Sequence, residues 1–240
     1  MKSVKYFDFN IINSDIIAVV NQLDNYLESL TFRYVVTLNP QILMHSVNHV
    51  SIKQIINKAD MIIPDGQGIV LGIKLLLGKR LKVITGVQLL YFLLTKGRYR
   101  IYFVGAKPAV IDAAASVVKR CYSTIDLCGY SHGYLTEEQQ QRVIEDIREK
   151  EPDFIFVGMG FPQQDYFIQQ CSARCSRGIA IGIGGAFDVL SGRLKLAPNW
   201  VKKIRCEWLF RGIQEPHRLL TWGYLLRYIL LIIKSFFKKC

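Results

Sequence analysis

The feature that most constrains this chain is an alternation. Short, almost wholly apolar runs are separated by stretches with helical spacing, and the pattern repeats across most of the length. The runs FRYVVTL (32–38), DMIIP (60–64), RIYFVG (100–105), TIDLCGY (124–130), DFIFVG (153–158) and GIAIGIGG (178–185) are rich in β-branched and aromatic residues and are closed by Gly or Pro, as buried strands are. Helical patterns fill the gaps at roughly 40–58, 66–77, 85–96, 108–122, 136–149 and 162–175. Pro108 and Pro162 suit a first helical turn, and Thr136 with Gln139 forms a capping box. Strands this uniformly apolar need cover on both faces. The expected fold is therefore α/β: Rossmann-like, a mostly parallel sheet with helices on both faces. Residues 1–195 are assigned to that domain and 196–240 to a C-terminal basic and apolar helical appendage.

Sheets of this kind bind ligands at the carboxyl ends of their strands. The candidate loops are Thr37-Leu38-Asn39, Pro64-Asp65-Gly66, Gly105-Ala106-Lys107, Gly158-Met159-Gly160 and Gly182-Ile183-Gly184-Gly185. Glycine lets backbone N–H groups approach an anion, so three glycine-rich loops suit a phosphate-bearing ligand, although glycine also simply ends strands. Neither G-x-x-x-x-G-K-[ST] nor G-x-G-x-x-G occurs, which disfavours a P-loop ATPase and an NAD enzyme. Asp65 projects at the mouth of the sheet, where a carboxylate serves as general base toward a hydroxyl or binds a sugar, a ribose or a metal. An Asp-Gly pair there is equally a turn. Thr37 and Asn39 either read sugar hydroxyls or cap the next helix, and Gln164 is open in the same way. Gly66, Gly105, Lys107, Gly185 and Asp188 complete the expected substrate-binding set.

Half of the 240 residues are hydrophobic, enough for a substantial core, and the net charge of +12 is unevenly placed. From Arg193 to Cys240 there are eleven Lys or Arg against two Glu, so the tail seeks a polyanion. MKSVKYFDFN has no uninterrupted apolar run, so no signal peptide is expected. Six cysteines without a C-x-x-C are expected to be reduced structural thiols. His45 and His49 have metal-ligand spacing, but no H-E-x-x-H, acidic cluster or D-x-D accompanies them, and no metal or other cofactor is expected.

Any departing diphosphate would then need cations from the chain. Lys202, Lys203, Arg205, Arg211 and Arg218 lie among aromatics in WVKKIRCEWLFRGIQEPHRLL, available either to phosphate or to lipid headgroups. The following LLTWGYLLRYILLIIKSFF (219–237) is nearly long enough to span a bilayer, but Arg227 would sit in its middle. A helix lying in the headgroup region of an anionic membrane fits better, with Trp222, Tyr224, Phe236 and Phe237 at the interface and Arg227, Lys234 and Lys238 toward the headgroups. A helix packed on the domain core is the plainer alternative. Nucleic acid is not an expected partner, since binding it would not require YILLII.

In series, TLNPQIL, ADMIIPDGQGIV, ITGVQLL, YFVGAKPAV, GYSHGYL, VGMGFPQQ, GIGGAFDVLSGRLKLAP and CEWLFRGIQEPHRL resemble the WecG/TagA/CpsF glycosyltransferase family over roughly residues 33–218. The resemblance implies a metal-independent, Rossmann-like enzyme. It would move N-acetylmannosamine, its uronic acid or a glucose-type sugar from a UDP-sugar to an undecaprenyl-diphosphate-linked saccharide, with inversion, in cell-surface polysaccharide synthesis. It implies a peripheral protein on the cytoplasmic face of the bacterial inner membrane, whose C-terminal appendage closes over the site and docks on the membrane. Asp65 matches the family's proposed catalytic base; Thr37, Asn39 and Gln164 match its other polar site positions; Arg211 and Arg218 match arginines thought to meet the diphosphate. The chain departs from the family at Val83 (commonly Arg), Gln88 (Asp), Pro162-Gln163-Gln164-Asp165 (P-K-Q-E) and Leu196-Ala197-Pro198 (R-A-P). Lost charges of this kind fit a different donor, or a non-catalytic nucleotide- or glycolipid-binding protein at the membrane surface. A metal-dependent nucleotide-sugar hydrolase using Asp65, His45 and His49 is a further alternative.

Overall fold

The computed structural model describes residues 1–198, 201, 207–214 and 222–237; within these, the side chains of Glu207, Trp208, Arg211 and Trp222 are not described. The chain opens with an antiparallel hairpin, β1 (Ser3–Tyr6) and β2 (Phe9–Ile12), followed by α1 (Ile16–Glu28). Then come β3 (Arg33–Leu38), α2 (Pro40–Asn48), α3 (Val50–Asn57), β4 (Met61–Pro64), α4 (Gln67–Leu77) and α5 (Gly86–Lys96). The second half runs β5 (Arg100–Gly105), α6 (Pro108–Cys121), β6 (Asp126–Ser131), α7 (Glu137–Lys150), β7 (Phe154–Gly158), α8 (Gln163–Ser172), β8 (Ile179–Gly182) and α9 (Ala186–Leu190). Two further helices, α10 (Glu207–Gln214) and α11 (Trp222–Phe237), follow among the described residues.

Among the described residues eight strands form one sheet in the order β1-β2-β4-β3-β8-β7-β5-β6, parallel throughout except for the edge pair β1–β2. Each central strand alternates its side chains between two apolar layers. Tyr34, Val36, Tyr102, Val104, Ile155 and Val157 face the core under α2, α3, α4, α7, α8 and α11. Val35, Ile101, Phe103, Phe154, Phe156 and Ile181 face the core under α1, α5, α6 and α9. Burial on both faces is why these strands lack polar alternation.

Helix boundaries follow local chemistry. Thr85 with Gln88 and Thr136 with Gln139 close capping boxes at α5 and α7. Gly78 and Gly97 end α4 and α5 in the left-handed conformation that glycine adopts without a Cβ penalty. The expected single helix over 40–58 is two, broken at His49, which is extended (φ −131°, ψ 108°). The break falls in Ser46-Val47-Asn48-His49-Val50-Ser51, a run of weak helix formers. Pro108 is the first residue of α6 as expected, whereas Pro162 precedes α8 as its N-cap.

α11 has one face on the domain. Tyr228 and Ile232 are buried, Tyr224, Leu225 and Leu231 pack on the same cluster, and the helix lies against α2 and α4. Its other face exposes Leu226, Ile229, Leu230, Ile233, Phe236 and Phe237 beside Gly223, Arg227 and Lys234. No helix among the described residues is long and apolar enough to cross a membrane.

Candidate functional site

The carboxyl edge of the sheet brings the expected loops together. β3 pairs with β4 on one side (Leu38 opposite Pro64) and with β8 on the other (Val36 opposite Gly182). The Asp65 turn and the Gly182–Gly185 loop therefore lie two strand spacings apart, about 10 Å, with Thr37 and Asn39 between them.

Asp65 is half-buried on a turn held at both ends by backbone: its N–H donates to Leu38 C=O (2.8 Å), and the Pro64 carbonyl accepts from Ile84 N–H (3.0 Å). Gly66 follows at φ +89°, a conformation that a Cβ would strain, and starts α4. That glycine lets the chain leave β4, present the carboxylate at the edge and enter a helix within two residues.

On the other side three glycine loops meet backbone to backbone. A Cβ on Gly105 would lie 2.4 Å from the Gly158 carbonyl oxygen, and one on Gly158 would lie 2.7 Å from the Gly184 carbonyl oxygen and 2.6 Å from the Phe187 ring. Ala106, at φ +57°, donates its N–H to Gly158 C=O (2.9 Å) and accepts from Gly133 N–H (2.9 Å). The amides of Ala106, Ile183 and Gly184 are thus engaged by protein partners: Gly158, Val157 and Gln164 respectively. What converges on the edge is the N-terminal ends of α4, α6, α8 and α9, each carrying a partial positive charge.

The remaining expected residues fall into several groups. Thr37, buried, donates its hydroxyl to Gly182 C=O (2.7 Å) and ties β3 to the β8 loop. Asn39 caps α2, accepting from Ile42 N–H (3.0 Å). Gln164 is only 3% exposed and accepts from Gly184 N–H (3.1 Å), while its Nε2 lies 2.6 Å from where a Cβ on Gly182 would sit. Lys107 is exposed at the N-cap of α6, and Gly185 is the N-cap of α9. Asp188 is paired with Arg193 (2.6 Å). Arg211 lies in α10 with its side chain not described; Arg218 and Lys238 are outside the described residues, as are Lys202, Lys203 and Arg205. Trp222 is the first residue of α11, again without a described side chain.

Two features of this edge are not foreshadowed by the sequence. Asp165, next to Gln164, is almost wholly buried and accepts a hydrogen bond from the Tyr34 hydroxyl, while its Oδ2 has no partner. Burial pushes this carboxyl up to about 6, and the Tyr34 hydroxyl and Gln164 side chain pull it partly back. The Tyr228 hydroxyl donates to Gly68 C=O (3.0 Å) in the first turn of α4 and meets the Tyr6 hydroxyl (2.8 Å), so α11 is bonded to the helix that starts beside Asp65.

The histidines pack rather than gather ligands. The His45 ring lies 5.6 Å from His49, 5.4 Å from Phe161 and 4.7 Å from Tyr224, and burial with the nearby His49 holds its pKa low. Among the described residues no three His, Cys, Asp or Glu side chains come together as a metal site. Gln88 serves the start of α5, where its Oε1 accepts from Thr85 N–H (3.0 Å) and its own N–H donates to Thr85 Oγ1 (3.1 Å).

The family described as Glycosyl transferase WecG/TagA/CpsF matches residues 4–239, nearly the whole chain. The chain belongs to this family. It is therefore a glycosyltransferase, and the edge just described is the candidate active site of a family member. Among curated relatives, the N-acetylglucosaminyldiphosphoundecaprenol N-acetyl-beta-D-mannosaminyltransferase of Bacillus spizizenii W23 is 33% identical over 97% of this chain and 91% of its own length. The enzyme of the same name from Bacillus subtilis 168 is 30% identical over 93% and 88%, and that of Staphylococcus aureus MW2 is 28% identical over 86% and 83%. The family match covers the N-terminal hairpin and α11, both outside the blocks at 33–218 that carry the resemblance in the sequence.

Proposed function

We propose that this glycosyltransferase moves N-acetylmannosamine, or a closely related sugar, from a UDP-sugar to an undecaprenyl-diphosphate-linked N-acetylglucosamine during synthesis of a cell-surface polymer. The acceptor and the first-choice sugar come from the names of the relatives. The observation that carries the proposal is the pairing across β3: a carboxylate on a glycine-supported turn, and opposite it three close-packed glycine loops edged by helix N-termini.

The mechanism is a single displacement. The acceptor hydroxyl oxygen attacks the anomeric carbon while Asp65 takes its proton, and the bond from that carbon to the UDP oxygen breaks. From an α-linked donor this yields the β linkage in the relatives' names. The diphosphate lies against the helix N-termini at the glycine loops, and Arg211 and Arg218 of the C-terminal appendage, residues 196–240, offset its developing charge without a metal.

The outer face of α11 is the natural membrane contact. Leu226, Leu230, Ile233, Phe236 and Phe237 would enter the acyl boundary, with Arg227 and Lys234 at anionic headgroups. In this reading the enzyme is peripheral and works on the cytoplasmic leaflet, where UDP-sugars and the lipid-linked acceptor meet.

The test is UDP release from a panel of UDP-sugars, with a short-chain polyprenyl-diphosphate-N-acetylglucosamine and EDTA present. Acceptor-dependent release from one donor, undiminished by the chelator, is the expected result. Release that never depends on the acceptor, whatever the donor, rejects the transfer proposed here.

A further inference from the structure

The Gly182–Gly185 loop is held from below by a chain of contacts that starts at a buried charge. Asp165 is 2% exposed in the first turn of α8, and one of its oxygens accepts the hydroxyl of Tyr34, itself buried on β3. The other oxygen is buried without a partner. An unsatisfied buried carboxylate oxygen is costly, and a native protein that keeps one needs a reason. Gln164, the preceding residue of the same helical turn, reaches the loop: its Oε1 accepts from Gly184 N–H at 3.1 Å, and its amide end is packed against Gly182. On the strand side Thr37 holds the carbonyl of the same Gly182 at 2.7 Å. Tyr34 and Thr37 both belong to β3, so one rigid strand braces the loop twice, directly through Thr37 and through Asp165 and Gln164.

We infer that Asp165, held by Tyr34, is a positioning residue: it fixes the first turn of α8 so that Gln164 holds the Gly182–Gly185 loop in the shape that receives the donor's diphosphate. The part concerning the donor rests on the function proposed above; the part concerning the loop does not. Asp165 touches no reacting atom. Its charge fixes the geometry of its neighbours, because an ionised acceptor binds the Tyr34 hydroxyl more strongly than a neutral amide would.

The test uses the full chain with Asp165→Asn, Tyr34→Phe and Gln164→Met. Backbone hydrogen exchange over residues 182–185 should quicken about tenfold in Asp165→Asn, the size of one lost charge-assisted hydrogen bond, while β5 amides keep their wild-type rates. The donor KM and the dissociation constant of UDP should rise by about the same factor, with kcat within about threefold. In the Gln164→Met background, adding Asp165→Asn should raise KM no further, because the aspartate acts through the glutamine. Tyr34→Phe retains the ring and carries the same measurement if the Asn variant does not fold. Unchanged loop exchange in folded Asp165→Asn, quickening shared equally by β5, or full additivity with Gln164→Met would each overturn the inference. A wild-type protein that does not bind UDP would instead sink the donor reading, and loop exchange would still decide whether Asp165 holds the loop.

Discussion

The β4–α4 arm of the carboxyl edge and the β7–α8 arm each carry an aspartate close to a helix start, and the two are treated in opposite ways. Asp65 sits half-buried on a turn that Gly66 makes possible. Asp165 lies inside the first turn of α8, almost wholly buried, with the Tyr34 hydroxyl on one oxygen and no well-formed hydrogen bond on the other. A carboxylate that must meet an incoming hydroxyl needs access, and one that must hold a loop needs enclosure. In the proposed reading the same residue type serves chemistry on one arm and placement on the other. Replacing each with asparagine should separate the two roles. Asp65→Asn removes the base while keeping the shape, so turnover should fall about 10²–10⁴-fold with UDP affinity and melting temperature nearly unchanged. Steady-state rates and UDP titration check this, and a near-wild-type rate would remove the base from Asp65 and collapse the contrast.

The second prediction concerns the pH dependence of stability. Burial raises the Asp165 carboxyl from 3.8 to about 6 in the folded state. The folded protein therefore binds this proton more tightly than the unfolded chain does, and stability falls as pH rises from about 4 to about 6. Two pKa units correspond to about 3 kcal/mol. Below pH 4 the group is neutral in both states and contributes no such loss. Asp165→Asn cannot titrate, so the stability difference between variant and wild type should shift in the variant's favour by up to about 3 kcal/mol between pH 4 and pH 7. Urea unfolding at a series of pH values measures it. A difference that stays flat across that window would mean that Asp165 ionises as an ordinary exposed carboxylate does.

The contrast between the arms also marks what the sequence can and cannot show. Continuous apolar runs place β3, β4, β5, β7 and β8 with their carboxyl-end loops, because strands buried on both faces have no other composition available to them, whereas the edge strand β6, with no fully buried residue, is marked by its β-branched and aromatic content alone. The Asp65 turn is legible for the same reason, as a lone acid at a strand end before glycine. The β1–β2 hairpin escapes because an edge strand follows a different rule: Val4, Tyr6, Phe9 and Ile11 are buried while Ser3, Lys5 and Asn10 between them are exposed, a period-two pattern that a search for unbroken apolar runs misses. Asp165 escapes because its partner is Tyr34, 131 positions away, and no local spacing encodes such a pair. Gln164 and Thr37 stand out in the sequence as candidate polar groups, but their bonds to the glycine loop depend on which strands are neighbours. The tail is visibly basic and apolar, yet only packing reveals that Tyr228 and Ile232 face inward while Leu226 and Leu230 face out.

The glycine contacts give a third way to sharpen the comparison, because they distinguish a crowded arm from an open one. At Gly158 a Cβ would press on the Phe187 ring and the Gly184 carbonyl, whereas at Gly66 it would meet no atom within 4 Å and only the positive φ resists it. Gly158→Ala should cost about 1–3 kcal/mol through overpacking and carry the donor loop with it, raising the donor KM. Gly66→Ala should cost about 1–3 kcal/mol of backbone strain, since φ +89° and ψ 158° lie in a region essentially reserved for glycine, and act mainly on kcat, since it re-aims Asp65. Equal splits of KM and kcat in the two variants would deny that the arms have separate duties.

The smallest expected effect tests how the Asp65 arm is braced. Tyr228 donates to Gly68 C=O, so in the Tyr6–Tyr228 pair it is Tyr6 that donates and Tyr228 that accepts. Gly72 makes room for both hydroxyls, since a Cβ there would lie 2.2 Å from each. Tyr228→Phe removes both bonds and leaves the Tyr6 hydroxyl buried without a partner, so it should cost about 1–2 kcal/mol. Tyr6→Phe removes one bond and leaves Tyr228 still donating to Gly68, so it should cost less. The double variant should recover part of what Tyr228→Phe loses, because it also removes the buried Tyr6 hydroxyl that the single change leaves unpaired. Denaturant midpoints rank the three. If Tyr6→Phe proves the costlier single change, the bond to Gly68 contributes little, and α11 braces the Asp65 arm by apolar packing of Tyr228 and Ile232 alone.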